Sequence, residues 1–452
     1  VTAISPPHAD ALPARLAPAP RPPQSPQRGF RDSTVAIALF VLATAGMLAG
    51  LGGRAANMVF PLLAFVTAAV LLRRSPALYS SFCLWIWFLS PFIRRVFDYR
   101  HGWNPTNPVL LAPPLVAVLS AITIARHARE LRGRLFAPFL LILLALGYGY
   151  TVGMINAGVI PATYALLTWV APLMFGVHLA LSWRHYIELR DTIRKTFAYA
   201  VPILAAYGIY QFVRLPVWDA QWMINADLRS IGSPLPFFVR VFGTLNTPGP
   251  YAGFLLAGIL MQIAGSGFVR FPGIAGGALA LLLTRTRAAW VAFLIGLAVH
   301  QLTQPLVRLP RRIITMVVVA MIAVPLTQIP AFRSTIANRM STLSSISSDN
   351  SFKKRVQFSQ QNASEIVETA EGSGLGMTGG AAKLRAGQSG VRSLDNGFLE
   401  IFFLFGWPGG LMFFLGIGAL LYQSFQFVEA RRDPFAAAVR ATAIALVSIL
   451  PI

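Results

Sequence analysis

Long apolar runs broken by short polar or basic stretches set the pattern of this chain. The runs fall at Thr34–Leu51, Asn57–Leu72, Ala77–Ile93, Val109–Ala125, Leu135–Met154, Ala162–Trp183, Thr196–Val213, Pro250–Phe268, Phe271–Leu283, Ala289–Leu302, Ile313–Ile329, Gly397–Phe425 and Phe435–Ile452. About 20 apolar residues in a helix cross a bilayer, so each run reads as a span or a short span. The pattern predicts an all-α, polytopic transmembrane bundle of about 12–13 spans. Residues 34–452 form the transmembrane domain, with outer loops at 214–249 and 331–394. The larger loop is expected to contain short helices. Residues 1–33 are rich in Pro, Ala and Arg and have no apolar period, which predicts a disordered tail. The last run stops inside apolar sequence, so a longer polypeptide is expected.

One break stands apart from the others. Thr284-Arg285-Thr286-Arg287-Ala288 separates two short apolar runs. A single helix through it would place two guanidiniums in mid-bilayer at a cost of about 5–7 kcal/mol. Two short spans meeting at the break cost less and leave the arginines near one membrane face. Arginines kept in such a place suit an anion. The plainer reading is punctuation between two helices.

Composition agrees with the pattern. The chain is 55% hydrophobic and 12% charged, with a mean hydropathy of +0.61, whereas soluble domains carry about 25% charged residues. The net charge of +22 must sit in loops and tails. Its natural partners are membrane lipids and phosphate-bearing glycolipids. No basic soluble domain with interleaved aromatics is present, so nucleic acid is not expected. The single cysteine, Cys83, excludes an intrachain disulfide, and no Cys/His group has metal-ligand spacing. Neither a metal nor a cofactor is expected. The six histidines are scattered singly and read as structural.

Orientation follows from Lys and Arg in the short loops. A cytoplasmic N-terminus puts 20 of them inside, among them Arg73–Arg74, Arg126–Arg134, Arg184–Lys195 and Arg431–Arg432. The short outer connections carry Arg54, Arg94, Arg95 and Arg100. The long outer loop holds eight basic and four acidic residues. Arg285 and Arg287 also face outward.

Four groups of residues could carry chemistry. Arg285 and Arg287, two apart, can grip a phosphate or pyrophosphate, and Thr284 and Thr286 add hydroxyls. Arg240 leads Val-Phe-Gly-Thr-Leu-Asn-Thr-Pro-Gly-Pro, a turn entering the next span with a proline suited to the first helical position. In the long loop, Arg355 precedes Gly372-Ser-Gly-Leu-Gly376, which either lets backbone approach something closely or serves as a hinge. Last comes Leu394-Asp395-Asn396-Gly397-Phe398-Leu399-Glu400. Asp395 fits an N-cap, or a carboxylate able to take a proton from a sugar hydroxyl. Glu400 is the only acid inside any expected span, so it pairs with a base or lines a cavity.

The order of these pieces resembles the O-antigen ligase and polymerase superfamily of bacterial membranes, over about Arg240–Leu420. The resemblance rests on R-x-x-G-T-x-N-x-P, then T-R-A-A between two short spans, then a long loop with G-x-G-x-G, then D-N-x-x-L and a G-W-x-G-G turn. It implies a metal-independent glycosyltransferase at the periplasmic face of the inner membrane, and the related exopolysaccharide polymerases belong to the same superfamily. The implied donor is an undecaprenyl-pyrophosphate-linked oligosaccharide, and the acceptor is a glycan or lipid A–core. It implies that Arg240 and Arg287 hold the pyrophosphate, with Arg285 and Arg355 as further basic candidates. Asp395, Asn396 and Arg287 become the catalytic candidates. Asp395 stands where ligases carry a histidine. A carboxyl with a pKa of about 3.9 is a weaker base than an imidazole at about 6.5. The Asp-Asn form looks more like the polymerase branch, and ligation to lipid A–core is the alternative. A flippase for lipid-linked sugars is the competing class, though spans nearly free of acids make a proton relay hard to build. A purely scaffolding protein leaves the outer arginines without a reason.

Overall fold

The computed structural model describes residues 26–227, 229–265, 267–268, 270–304, 310, 313, 370–385, 396–426 and 433–450. Among them every regular element is helical, apart from one antiparallel bridge between Gly232 and Val239. In chain order the helices are α1 (Pro26–Leu48), α2 (Ala56–Arg74), α3 (Pro76–His101), α4 (Ala112–Val118), α5 (Ser120–Arg126), α6 (Ala137–Asn156), α7 (Val159–Leu181) and α8 (Tyr186–Arg214). There follow α9 (Val217–Asn225), α10 (Pro248–Ala264), α11 (Arg270–Leu283), α12 (Arg287–Leu302), α13 (Gly379–Ala382), α14 (Gly397–Gln426) and α15 (Pro434–Ile449).

Seven helical segments are long and apolar enough to cross a membrane, and five shorter apolar helices accompany them among the described residues. Every expected span falls on one of these except Ile313–Ile329, which, apart from Ile313 itself, lies outside the described residues. The long-loop stretch with Arg355, and Asp395 at its end, also lies outside them. Helix α1 begins at Pro26, inside the stretch read as tail. Helix α3 runs eight residues past Ile93, so Arg94, Arg95 and Arg100 belong to a helix and not to a connection.

Polar ties identify two opposite faces. At the first, Arg74 pairs with Asp32 at 2.7 Å and Arg184 with Glu130 at 3.1 Å. There Ser75 Oγ donates to Glu188 at 2.8 Å. Asp433, the N-cap of α15, accepts from Tyr186 Oη at 2.7 Å at the start of α8. At the second face lie the far end of α8, the 229–247 loop, the 284–286 turn and the start of α14. Helix α15 starts beside the start of α8 and rises about 24 Å over its 16 residues to the second face.

The glycine run Gly372–Gly376 is neither a hinge nor a surface loop. It threads between α6 and α14. Helix α14 breaks at Gly406, where φ is 60°. The break frees carbonyls that non-helical backbone must satisfy inside an apolar bundle. Ser373 N donates to Phe403 O at 2.7 Å and Gly374 N to Leu404 O at 3.0 Å. Trp407 N donates to Ala370 O at 2.9 Å, and Leu375 N reaches Gly149 O of α6 at 2.8 Å. Gly374 has a φ of +86°, and a Cβ there would lie 2.2 Å from Gly153 N. That neighbour is backbone, so it has little room to yield. Gly374→Ala is therefore expected to destabilise the protein by about 1–3 kcal/mol. A Cβ at Gly380 meets nothing within 4 Å, so Gly380→Ala is expected to be neutral. Unfolding temperatures of the two variants in nanodiscs check the contrast.

Candidate functional site

The second face gathers arginines from distant parts of the chain. Arg240 precedes a loop that lies over the 284–286 turn. Its Nε donates to Thr284 O at 3.2 Å and its Nη2 to Thr286 Oγ1 at 3.3 Å. Its Nη1 donates to Ser230 O at 2.9 Å. Val241 N donates to Leu283 O at 3.2 Å, which ties the loop to the end of α11. Arg240 thus touches the residue preceding Arg287, and adjacent Cα atoms lie about 3.8 Å apart.

The turn itself is strained. Arg285 has a φ of +54°, a left-handed conformation that a residue with a Cβ adopts at some cost. Its Nη2 donates to Phe237 O at 3.2 Å, so Arg285 binds the turn to the same loop. Arg287 is the first residue of α12, with Thr286 as N-cap. Its guanidinium therefore starts where the helix dipole and the orphan N–H groups already favour an anion. Arg285 and Arg287 sit where α11 and α12 meet, at the second face of the bundle and not midway along it.

A buried network under the loop was not legible as a site in the sequence. Arg95 is fully buried, and its Nε lies 2.7 Å from Asp219 Oδ1, with both side chains at 0% exposure. The angle there makes it a charge contact and not a hydrogen bond. The other nitrogens of Arg95 donate to Gly243 O and Leu245 O. Its guanidinium lies over Phe242 at 4.9 Å and near Trp222 at 5.7 Å. Asp219 Oδ2 accepts from Tyr207 Oη at 2.8 Å and from Gln211 Nε2 at 2.6 Å. Gln211 Oε1 in turn accepts from the N–H groups of Phe242 and Gly243, each at 3.0 Å. Arg95 and Gln211 thus hold the carbonyls and amides of the loop that carries Arg240. The one signal in the sequence was Gln211, a polar residue inside an apolar span. Its own partners are Asp219 and the amides of Phe242 and Gly243, and Arg95, which pairs with Asp219, stands 124 positions before it, too far for any pattern to join them.

Asp98 belongs to a second pair. Arg94 Nε donates to Asp98 Oδ2 at 3.0 Å, and Asn107 Nδ2 donates to Asp98 Oδ1 at 2.7 Å. Lys383, outside the spans, is exposed as a residue, yet partial burial and the nearby Arg94 charge hold its amine below the usual lysine range.

The Asn396 end of α14 lies at the same face. Gly296 of α12 packs against Ala441 and Ala445 of α15. Arg287 is nine residues above Gly296, about 13 Å along the helix, and Leu450 is a similar rise beyond Ala441. Phe398 N donates to Leu450 O at 3.0 Å, which brings the start of α14 to that level. Asn396 Oδ1 accepts from Phe398 N at 3.0 Å and Leu399 N at 3.1 Å. Asn396 thus performs the capping expected of Asp395. Glu400 accepts from Thr378 Oγ1 at 2.8 Å.

Together these elements offer guanidiniums and a helix N-terminus to an anion, with the Thr284 and Thr286 hydroxyls beside them and the Glu400 carboxylate near the same face in a separate core. Comparison with known proteins bears on what that anion is. Residues 272–414 match the family model described as O-Antigen ligase. The matched stretch holds Arg285, Arg287, Arg355, Asp395 and Asn396, while Arg240 precedes it. No curated protein and no solved structure matches the chain.

Proposed function

From a membrane protein that carries an O-antigen ligase domain over residues 272–414, we propose a glycosyltransferase that works on undecaprenyl-pyrophosphate-linked oligosaccharide at the periplasmic face. The observation that supports this reading is the contact of Arg240 with Thr284 and Thr286, the latter the residue that precedes Arg287. The second face is then periplasmic and the first face cytoplasmic, in keeping with the basic short loops at the first.

The chemistry follows from charge. The acceptor hydroxyl oxygen bonds to the anomeric carbon. The bond from that carbon to the phosphate oxygen breaks, and the pyrophosphate leaves with the electron pair. Negative charge grows on the leaving oxygens during this step. Fixed donors aimed at such oxygens stabilise the transition state by several kcal/mol. Arg287 and the first amides of α12 supply them, with Arg240 and Arg285 holding the turn in place. This charge stands where a divalent cation would otherwise be needed. The hydroxyl proton goes to Asp395, the residue before Asn396 in the chain, and Arg355 of the long-loop sequence adds positive charge.

Two acceptors fit the family. Polymerisation, in which the acceptor is another lipid-linked unit, is favoured by Asp395 in the place of a histidine. Ligation to lipid A–core is favoured by the name of the matching family. A deletion strain separates them when its carrier-linked glycan, surface polysaccharide and lipopolysaccharide are resolved. Loss of a polymerase is expected to leave single repeat units, whereas loss of a ligase strands finished polymer on the carrier. Unchanged glycans in all three fractions would remove the proposal.

A further inference from the structure

A cavity of about 230 Å³ lies between α7, α13 and α14, lined by Tyr164, Thr168, Trp169, Thr378, Gly380 and Glu400 among others. It belongs to a different part of the bundle from the arginines. Its walls pack in the core shared by α6, α7 and α14, whereas Arg240 and Arg287 border the core of α8, α10 and α11. Glu400 is one helical turn, about 6 Å, below Asn396, so the cavity lies just beneath the second face.

Its chemistry is that of a sugar site. Among the described residues, the Thr378 hydroxyl is the one hydrogen-bond donor to Glu400, at 2.8 Å. A carboxylate offers about four acceptor positions, so the group can take further donors. Tyr164 and Thr168 line the same cavity, the Thr168 hydroxyl donating to Ala165 O at 2.7 Å and keeping acceptor capacity, and Trp169 supplies an aromatic surface. That indole is held edge-on by Phe405 at 5.6 Å and Phe413 at 5.8 Å. Small-molecule pockets usually measure about 300–1,000 Å³, so this space suits one ring and not an oligosaccharide. Gly380 is among its lining residues, and a Cβ there would meet no atom within 4 Å.

We infer that this cavity binds a single six-membered sugar ring, the terminal residue of the acceptor glycan, with Glu400 accepting from its hydroxyls and Trp169 lying against its apolar face. Assignment to the acceptor rests on the glycosyl-transfer reading, because the donor's pyrophosphate occupies the arginine side. Binding of the ring does not depend on that reading.

The test is saturation-transfer NMR on the purified full chain in nanodiscs. The probes are methyl glycosides of glucose, galactose, mannose and N-acetylglucosamine. Ring-proton enhancement is expected for at least one probe. Glu400→Gln should weaken that binding about tenfold or more, the worth of a hydrogen bond to a charged group. Gly380→Val adds bulk at the cavity lining, where a Cβ meets no atom within 4 Å, and should abolish the enhancement. Arg287→Ala should leave it intact. No enhancement with the unaltered protein, or equal enhancement in Gly380→Val, overturns the inference. If Arg287→Ala still transfers glycan at full rate, the pyrophosphate reading falls and the sugar cavity is judged on the NMR alone. If the NMR is negative while Arg287→Ala is inactive, only the cavity falls.

Discussion

Arg287→Ala is expected to lower glycan transfer by about 10²–10³-fold, the cost of removing one preorganised donor from a developing anion. The fold should survive. Alanine is a strong helix former at the first position of α12. Ala289 N and Trp290 N still bond Thr286 O at 3.1 and 3.3 Å, and Trp290 Nε1 still bonds Leu281 O at 3.0 Å. Arg287→Lys should recover only part of the rate, since an ammonium is a point charge without the bidentate fork. The measurement is transfer per molecule of protein, with abundance in the membrane read by immunoblot. Arg240→Ala makes the contrast. It removes two hydrogen bonds that join the loop to the turn and a third, to Ser230 O, within the loop, so it should lose both activity and thermal stability. A normal rate in Arg287→Ala at normal abundance would separate this arginine from the chemistry.

Much of this arrangement was legible before the structure. Apolar runs gave the spans, because a bilayer admits little else. The break at Thr284–Ala288 had to sit at a face, because two buried guanidiniums cost too much, and α11 and α12 do meet there. The glycine run promised close approach of backbone, and it packs against α6 and the broken α14. Its target was hidden, because the break at Gly406 lies within an uninterrupted apolar run. The extension of α3 beyond Ile93 was hidden for a different reason. A bilayer penalises Arg95 only while it has no counter-charge, and its counter-charge lies 124 positions away at Asp219. Hydropathy treats each residue alone, so it ended the span one residue before the first arginine. The roles at the start of α14 were half legible. The turn needed a cap, and Asn396 supplies one where Asp395 was the expected residue.

Arg95→Ala is expected to be the most damaging stability change, at about 3–5 kcal/mol, because it leaves the Asp219 carboxylate buried without its partner. The variant should unfold at a markedly lower temperature in nanodiscs or fail to accumulate. Asp219→Ala should do the same by stranding Arg95. The double variant Arg95→Met, Asp219→Leu removes both charges and keeps apolar volume, so most of the lost stability should return. Activity should not return with it. Arg95 is also the donor to Gly243 O and Leu245 O, and Asp219 helps orient the Gln211 amide that holds Phe242 N and Gly243 N. Without them the loop loses its fixed height over the turn, and Arg240 loses its approach to Thr286. A site that works by preorganised charge is sensitive to displacements of about 1 Å. Stability restored with transfer still low marks the pair as a positioning device for the arginines. Stability and transfer restored together would reduce it to a structural ion pair.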